Sequence, residues 1–305
     1  MSVLTYDIVD VFSDRPFAGN QLAVVHGAQD LTAEQCLAVA REFNFSETTF
    51  PVTRQRAGAS VEYATRIFTP GGEIPFAGHP TLGTAWVLRH RGLLGELTGE
   101  GEATQVCGAG RIGVRFADAL VELSAPPRDL LGPLDESLAE ALLGDLGLSR
   151  EDLVGPAWLA GCGLTFVHLP VRDEAVGSAV PSTRPLGEYA HRLAALGTAQ
   201  DPVEGVNLFS VSGDAPALTV HSRVFVPGLS VAEDPATGSA AVGLGVALVA
   251  AGRLPDGGRY DITQGVEMGR PSTLYGRVEA SGGEARLCHV AGHVQPVASG
   301  EIAVP

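Results

Sequence analysis

The chain has 305 residues, 45% apolar and 18% charged, so it is globular in composition and long for one compact core; two domains are expected and a disordered chain is excluded. Acidic residues outnumber basic ones by 35 to 20, and a net charge of −15 with no basic patch excludes nucleic acid and anionic membrane as partners. All 20 basic residues are arginine, which excludes a P-loop lysine, a kinase-type lysine and a Schiff-base lysine for pyridoxal phosphate.

The opening MSVLTYDIVDVF has no basic segment followed by an apolar one, so no secretory signal is read and a cytoplasmic location is expected. Alternating and β-branched runs predict strands at 3–12, 21–26, 48–53, 61–69, 111–116 and 119–124, the last two joined by a hairpin turn in FADALV. Helices are predicted at 32–43, where Thr32 and Gln35 form a capping box, and at about 80–91, where Arg89 and Arg91 mark the C-terminal end. GAGRIG at 108–113 has the spacing of a dinucleotide fingerprint but is followed by the strand-like VRFAD, so it predicts another hairpin turn.

SAPPRD at 124–129 is the natural domain boundary, because paired prolines stop either element type. Beyond it, helices are predicted at 135–147, 185–196 and about 236–251. Strands are predicted near 165–171, 206–212, 219–226, 259–264, 273–280 and 285–304. The domains expected are 1–125 and 126–292, with the extreme C-terminal strand, about 293–305, packing on the first. The longest apolar run, 240–251, has twelve residues, short of the ~18 that a membrane span needs.

Cys36, Cys107, Cys162 and Cys288 form no CxxC pair, which favours free thiols over a disulfide and gives no zinc signature. His289 and His293 are four apart, yet Gly292 and β-like neighbours argue against a helical metal pair. No metal site is therefore read.

The chain repeats itself. RIFTPG at 66–71 and RVFVPG at 223–228 share four residues of six. Further on, GHPTLGTAW at 78–86 lines up with EDPATGSAA at 233–241, matching Pro80 to Pro235, Gly83 to Gly238 and Ala85 to Ala240. Each copy then runs through apolar residues to a glycine, which suggests a duplicated domain. The helix at 236–251 is apolar on every side and must be buried on every side, so each half is expected to be α+β, a mostly antiparallel, barrel-like sheet around a central helix.

Two such helices offer two N-termini, each with unpaired N–H groups and partial positive charge, and together they would hold an anion such as a carboxylate. Gly83 and Gly238 are expected to let a ligand approach the backbone. His79 and Asp234 stand at the two mouths in this alignment. Asp234 is read either as a plain N-cap before a proline or as a group that faces the cleft between the domains. FNFSETTFP at 43–51 adds Glu47, either an exposed strand-end charge or a third member of that cleft; CGLTFVHLP at 162–170 aligns loosely with it and puts Gly163 in its place.

Five stretches together resemble the phenazine biosynthesis PhzF-like family, related in fold to diaminopimelate epimerase and proline racemase. They are DVFSDRPFAGNQLAVV at 10–25, FSETTF at 45–50, FTPGGEIPFAGHPTLGTA at 68–85, EDPATGSAA at 233–241 and QGVEMGRPS at 264–272. They span nearly the whole chain in family order; Gln21 stands where the family often has proline. The resemblance implies two similar domains with the active site between them, a homodimer, no cofactor and a small-molecule carboxylate substrate. It places the catalytic roles on Glu47, His79 and Asp234, and substrate binding on Ser46, Gly78, Gly238 and Ser239.

Epimerases and racemases of this fold use two cysteines, and neither His79 nor Asp234 is one, so two-thiol epimerisation is disfavoured. One main carboxylate fits a cofactor-independent isomerase that takes a proton from carbon and returns it elsewhere on the same face. Glu47, partly desolvated, is expected to carry that proton, with His79 and Asp234 orienting polar groups. The alternative is a non-catalytic binding protein of the same fold, and a hydrolase built on Ser46 or Ser239 is disfavoured because neither lies in a GxSxG elbow.

Overall fold

A computed structural model describes residues 2–53, 61–95, 97, 99–196, 203–227 and 232–305. The chain divides into two units, 1–123 with 291–305 and 124–290. Each is a mostly antiparallel sheet around one helix.

The first unit runs β1 (Val3–Val11), β2 (Asn20–His26), α1 (Ala33–Phe43), β3 (Glu47–Thr53), β4 (Val61–Thr69), β5 (Gly72–Ile74), α2 (Gly78–His90), β6 (Gly101–Cys107), β7 (Gly110–Ala117) and β8 (Leu120–Ala125), and is completed by β18 (Val294–Ala303). β18, β1 and β2 pair antiparallel; β2 and β3 pair parallel; β3, β4 and β5 antiparallel; β4 and β6 parallel; β6, β7 and β8 antiparallel. Helix α2 packs against β1, β2, β3, β6, β7 and β18. Its residues from Gly78 to Leu88 are buried except Trp86, as an element surrounded by sheet requires. Helix α1 is amphipathic instead: it buries Cys36, Val39 and Ala40 against β3 and β4, and its predicted Thr32–Gln35 capping box is formed.

The second unit runs β9 (Asp129–Leu131), α3 (Glu136–Asp145), β10 (Trp158–Gly161), β11 (Thr165–Pro170), α4 (Asp173–Ser178), α5 (Ala190–Ala194), β12 (Val203–Asp214), β13 (Ala217–Phe225), β14 (Glu233–Asp234), α6 (Gly238–Ala250), β15 (Gly257–Gln264), β16 (Ser272–Ser281) and β17 (Glu284–Gly292). The pairings repeat in order and sense: β9, β10 and β11 antiparallel, β11 and β12 parallel, β12, β13 and β14 antiparallel, β13 and β15 parallel, β15 and β16 antiparallel. Helix α6, apolar all round, is buried from Ala240 to Val249 and packs on β10, β11, β15 and β16. The short helices α3 and α4 add an outer layer over a large leucine-rich core.

Because the two units share one pairing scheme, residues can be matched by register, and the match corrects the sequence alignment. Phe68 pairs with Glu73, and Phe225 with Glu233. Both helices begin four residues after the next position, at Gly78 and Gly238. GEIPFAGHPTLG at 72–83 therefore matches AEDPATGSAAVG at 232–243; Ile74 stands where Asp234 does, and Ser239 where His79 does. The expected pairing of His79 with Asp234 is off by five residues, because Pro235 corresponds to Pro75 and not to Pro80, five residues further on; Gly228, the last residue of the second repeat copy, lies outside the described residues.

Gly83 is likewise not at a helix mouth but in the middle of α2, matched to Gly243 in α6. A Cβ on Gly83 would lie 2.5 Å from Leu22 Cδ2 and 2.8 Å from Val11 Cγ2, and one on Gly243 2.9 Å from the Ala160 carbonyl. These glycines let helix and sheet approach each other, and a ligand has no access there.

Other departures are small. The single strand expected at 285–304 is two, β17 and β18, broken at His293, whose carbonyl accepts the amides of Phe12 and Ser13 at 2.8 and 3.3 Å. Residues 101–107 form β6, unpredicted because its Gly and Glu residues dilute the β-branched signal. The helix expected at 185–196 is a 3-10 turn at Leu186–Tyr189 followed by the five-residue α5. GAGRIG is the β6–β7 hairpin, as expected.

Candidate active-site residues

In the first unit the parallel pairing of β2 and β3 aligns Leu22 with Glu47, which sets Glu47 beside the start of β2. Helix α1 ends at Asn44 in the left-handed conformation, and Ser46 leads directly into Glu47 at the head of β3. Gly78 and His79 open α2 at the same place: His79 Nε2 is 3.6 Å from Glu47 Oε2. One level deeper, the buried hydroxyls of Thr49 and Thr84 bond at 2.8 Å and pin β3 to α2.

The His79 ring is 5% exposed and held at both nitrogens. Asn20 Nδ2 donates to Nδ1 at 3.3 Å, and Nε2–H donates to the Gln21 carbonyl at 3.3 Å. Nε2 thus faces only acceptors, the Gln21 carbonyl and the Glu47 carboxylate, and Nδ1 faces an amide NH2. Both observations fit one neutral tautomer with the proton on Nε2. Burial pushes the His79 pKa down to about 3, against the opposing pull of the Gln21 carbonyl. His79 is therefore a neutral donor beside Glu47 and not an imidazolium.

In the second unit Asp234 ends the two-residue β14, paired with Val224 of β13. It is not the N-cap of α6; Thr237 is, and Thr237 Oγ1 donates to Asp234 Oδ2. Gln264, at the end of β15, braces the corner: its Nε2 donates to the Asp234 carbonyl at 2.8 Å and to Thr237 Oγ1 at 3.1 Å, and its Oε1 accepts from the Thr237 amide at 3.3 Å. Gly238 and Ser239 follow as the first two residues of α6. Neither α2, capped by Ala77, nor α6 has a side-chain hydrogen bond closing its N-terminus. Both mouths keep the N–H character that suits an anion.

Register also corrects the place of Glu47 in the repeat. Thr48 pairs with Phe68 as Val206 pairs with Phe225, so the counterpart of Glu47 is Gly205 on β12, and Gly163 lies elsewhere, before β11. A Cβ on Gly205 would lie 2.6 Å from the Phe225 carbonyl, so the second unit has no room for a carboxylate at this point. Asn20, Gln21 and Gln264 are the neighbours that residue-by-residue reading missed. All three lie in stretches already quoted for the family resemblance, GNQLAVV and QGVEMGRPS, which was the available signal.

Among the described residues no three His, Cys, Asp or Glu side chains converge as a metal site, and no helix is long and apolar enough to cross a membrane. The four cysteines are free; Cys36 and Cys288 are buried, Cys107 and Cys162 half-buried.

A family model described as phenazine biosynthesis-like protein matches residues 9–300. The trans-2,3-dihydro-3-hydroxyanthranilate isomerase of Pseudomonas chlororaphis is 34% identical over 293 residues, covering 94% of this chain and 95% of that protein. The Pseudomonas aeruginosa protein of the same name is 33% identical over 300 residues, covering 97% and 98%. Among solved structures, a predicted epimerase from Pseudomonas aeruginosa has a TM-score of 0.81 at 30% identity, covering 99% of this chain and all 100% of that one.

Proposed function

The chain belongs to the phenazine biosynthesis-like protein family and is an isomerase, and we propose that it moves a proton within a small carboxylate-bearing metabolite with Glu47 as the proton carrier. The observation that carries this reading is the pairing of Glu47 with a neutral His79 at the uncapped start of α2.

Glu47 takes the proton from a substrate carbon and returns it to another carbon on the same face. The electron pair shifts through the intervening unsaturation, and the net composition is unchanged. A neutral His79 leaves Glu47 its basicity, whereas an imidazolium at this distance would reduce it. The N–H groups at the start of α2 hold negative charge, either a substrate carboxylate or the charge that develops as the proton leaves. Asp234, Gly238 and Ser239 are assigned to binding polar groups of the substrate, with Gln264 and Thr237 fixing the Asp234 carboxylate. No step calls for a cofactor.

The relatives' names make trans-2,3-dihydro-3-hydroxyanthranilate the first compound to try. The experiment is turnover in D2O followed by NMR. Deuterium at carbon, with Glu47→Gln slowed about a hundredfold or more and folded as before, supports the assignment. Full turnover by Glu47→Gln, or ligand-induced thermal stabilisation with no exchange at carbon for any carboxylate tried, overturns it.

A further inference from the structure

Outside these residues, a serine, a histidine and a carboxylate align on β8, β17 and β16, all three within 124–290 because the boundary between the units falls inside β8. Ser124 Oγ lies 2.7 Å from His289 Nδ1, and His289 Nε2 lies 3.0 Å from Glu279 Oε1. Ser124 is exposed near the end of β8, His289 is 5% exposed on β17, and Glu279 stands on β16.

The chemistry of the contacts sets the protons. Arg277 donates to Glu279 at 2.7 Å, and together with His289 it holds Glu279 below the usual carboxylate range, so this residue is an acceptor. The proton of a neutral His289 ring then sits on Nε2, and Nδ1 is left to accept the Ser124 hydroxyl proton. A serine on a base that is itself oriented by a carboxylate is the arrangement that activates a nucleophile. Here the serine addresses Nδ1 and the carboxylate Nε2, the reverse of the common assignment, which leaves the proton path intact.

We propose that Ser124 is a reactive serine, activated by His289 and Glu279, that is acylated by small activated esters. Its Oγ attacks the ester carbonyl carbon and the Oγ–C bond forms. The Oγ proton passes to His289 Nδ1, the bond to the leaving oxygen breaks, and the released alkoxide takes a proton from the imidazolium. Water then cleaves the acyl-serine with the same base. Ser124 is exposed, so the acyl group stays in solvent and reactivity, not shape, selects the ester.

The test treats the full chain with p-nitrophenyl acetate and, separately, with a fluorophosphonate, followed by intact-mass measurement and peptide mapping. One adduct per chain on Ser124 is expected. It should be absent in Ser124→Ala and formed at least tenfold more slowly in Glu279→Gln, an exposed change that spares the fold. His289→Gln should abolish it, with circular dichroism to confirm folding. An unmodified Ser124 in the native chain, or equal labelling rates in native and Glu279→Gln protein, overturns the proposal. The result is independent of isomerase turnover, because none of the three residues belongs to that assignment.

Discussion

Arg66 grips Glu73 with Nε and Nη2 at 2.8 and 2.7 Å, and Arg223 grips Glu233 with the same two atoms at the same two distances. Each guanidinium also stands 4.9 Å from the ring of the phenylalanine two residues on, Phe68 or Phe225. Yet the first pair is 35% and 42% exposed, the second 5% and 8%. What differs is the connection laid over them. In the first unit α1 passes nearby, and Arg66 Nη1 donates to the Leu31 carbonyl at 3.3 Å and weakly to Cys36 Sγ at 3.8 Å. In the second, the residues around α4 close over Arg223, whose Nη1 donates to the carbonyls of Val176 and Ala179 at 3.2 and 2.6 Å. One local motif has become a solvated clasp in one copy and a buried brace in the other, through what was inserted between the third and fourth strands of the scheme.

The largest effect expected follows from that contrast. Glu233→Ala removes the bidentate carboxylate from a buried guanidinium, leaving only Glu267 at 4.0 Å, and should cost about 3 kcal/mol, whereas Glu73→Ala should cost about 1 kcal/mol or less. Urea denaturation of the two variants reads the difference, and equal costs would break the comparison.

A second test uses the buried histidine of each unit. Burial pushes His79 down to about 3 and His168 to about 4, from an ordinary value near 6.5. Between those values and 6.5 the unfolded chain binds protons that the folded chain refuses. The stability that depends on these two histidines staying neutral is therefore complete above pH 6.5 and is lost as the pH drops, by up to about 1.4 kcal/mol per pH unit for each. His168→Asn should remove roughly half of that slope between pH 6 and 4.5. An unchanged slope would show that the second unit's histidine is not refusing its proton.

The third test concerns the helix-to-sheet contact. Gly83→Ala places a methyl against the side chains of Leu22 and Val11 and should cost about 1–3 kcal/mol. Gly243→Ala meets the Ala160 carbonyl at 2.9 Å and the hydrogen-bonded His168 ring at 3.0 Å, which yield less readily than the end of Leu22, and should cost more. The reverse order in thermal denaturation would argue that the two helices are not packed alike.

The sequence by itself carried the duplication, the α+β class, the two central helices, most strands and the family, because hydrophobic periodicity, the proline-glycine turns and the quoted motifs are local signals. It also named Glu47, His79 and Asp234, through the resemblance. Which residues of the two halves correspond was decided only by strand register. A sequence alignment that matched prolines paired His79 with Asp234, while hydrogen-bonded pairing puts Ser239 and Ile74 in those places and Gly205 opposite Glu47. The protonation of His79 also came from tertiary structure. It rests on Asn20 and Gln21, fifty-odd residues away in the chain, at one edge of the ring, and on burial by a sheet that no single stretch encodes. The two arginine–glutamate pairs show the same limit: their motif is legible in the sequence, but their energetic weight depends on which distant segment excludes water from them.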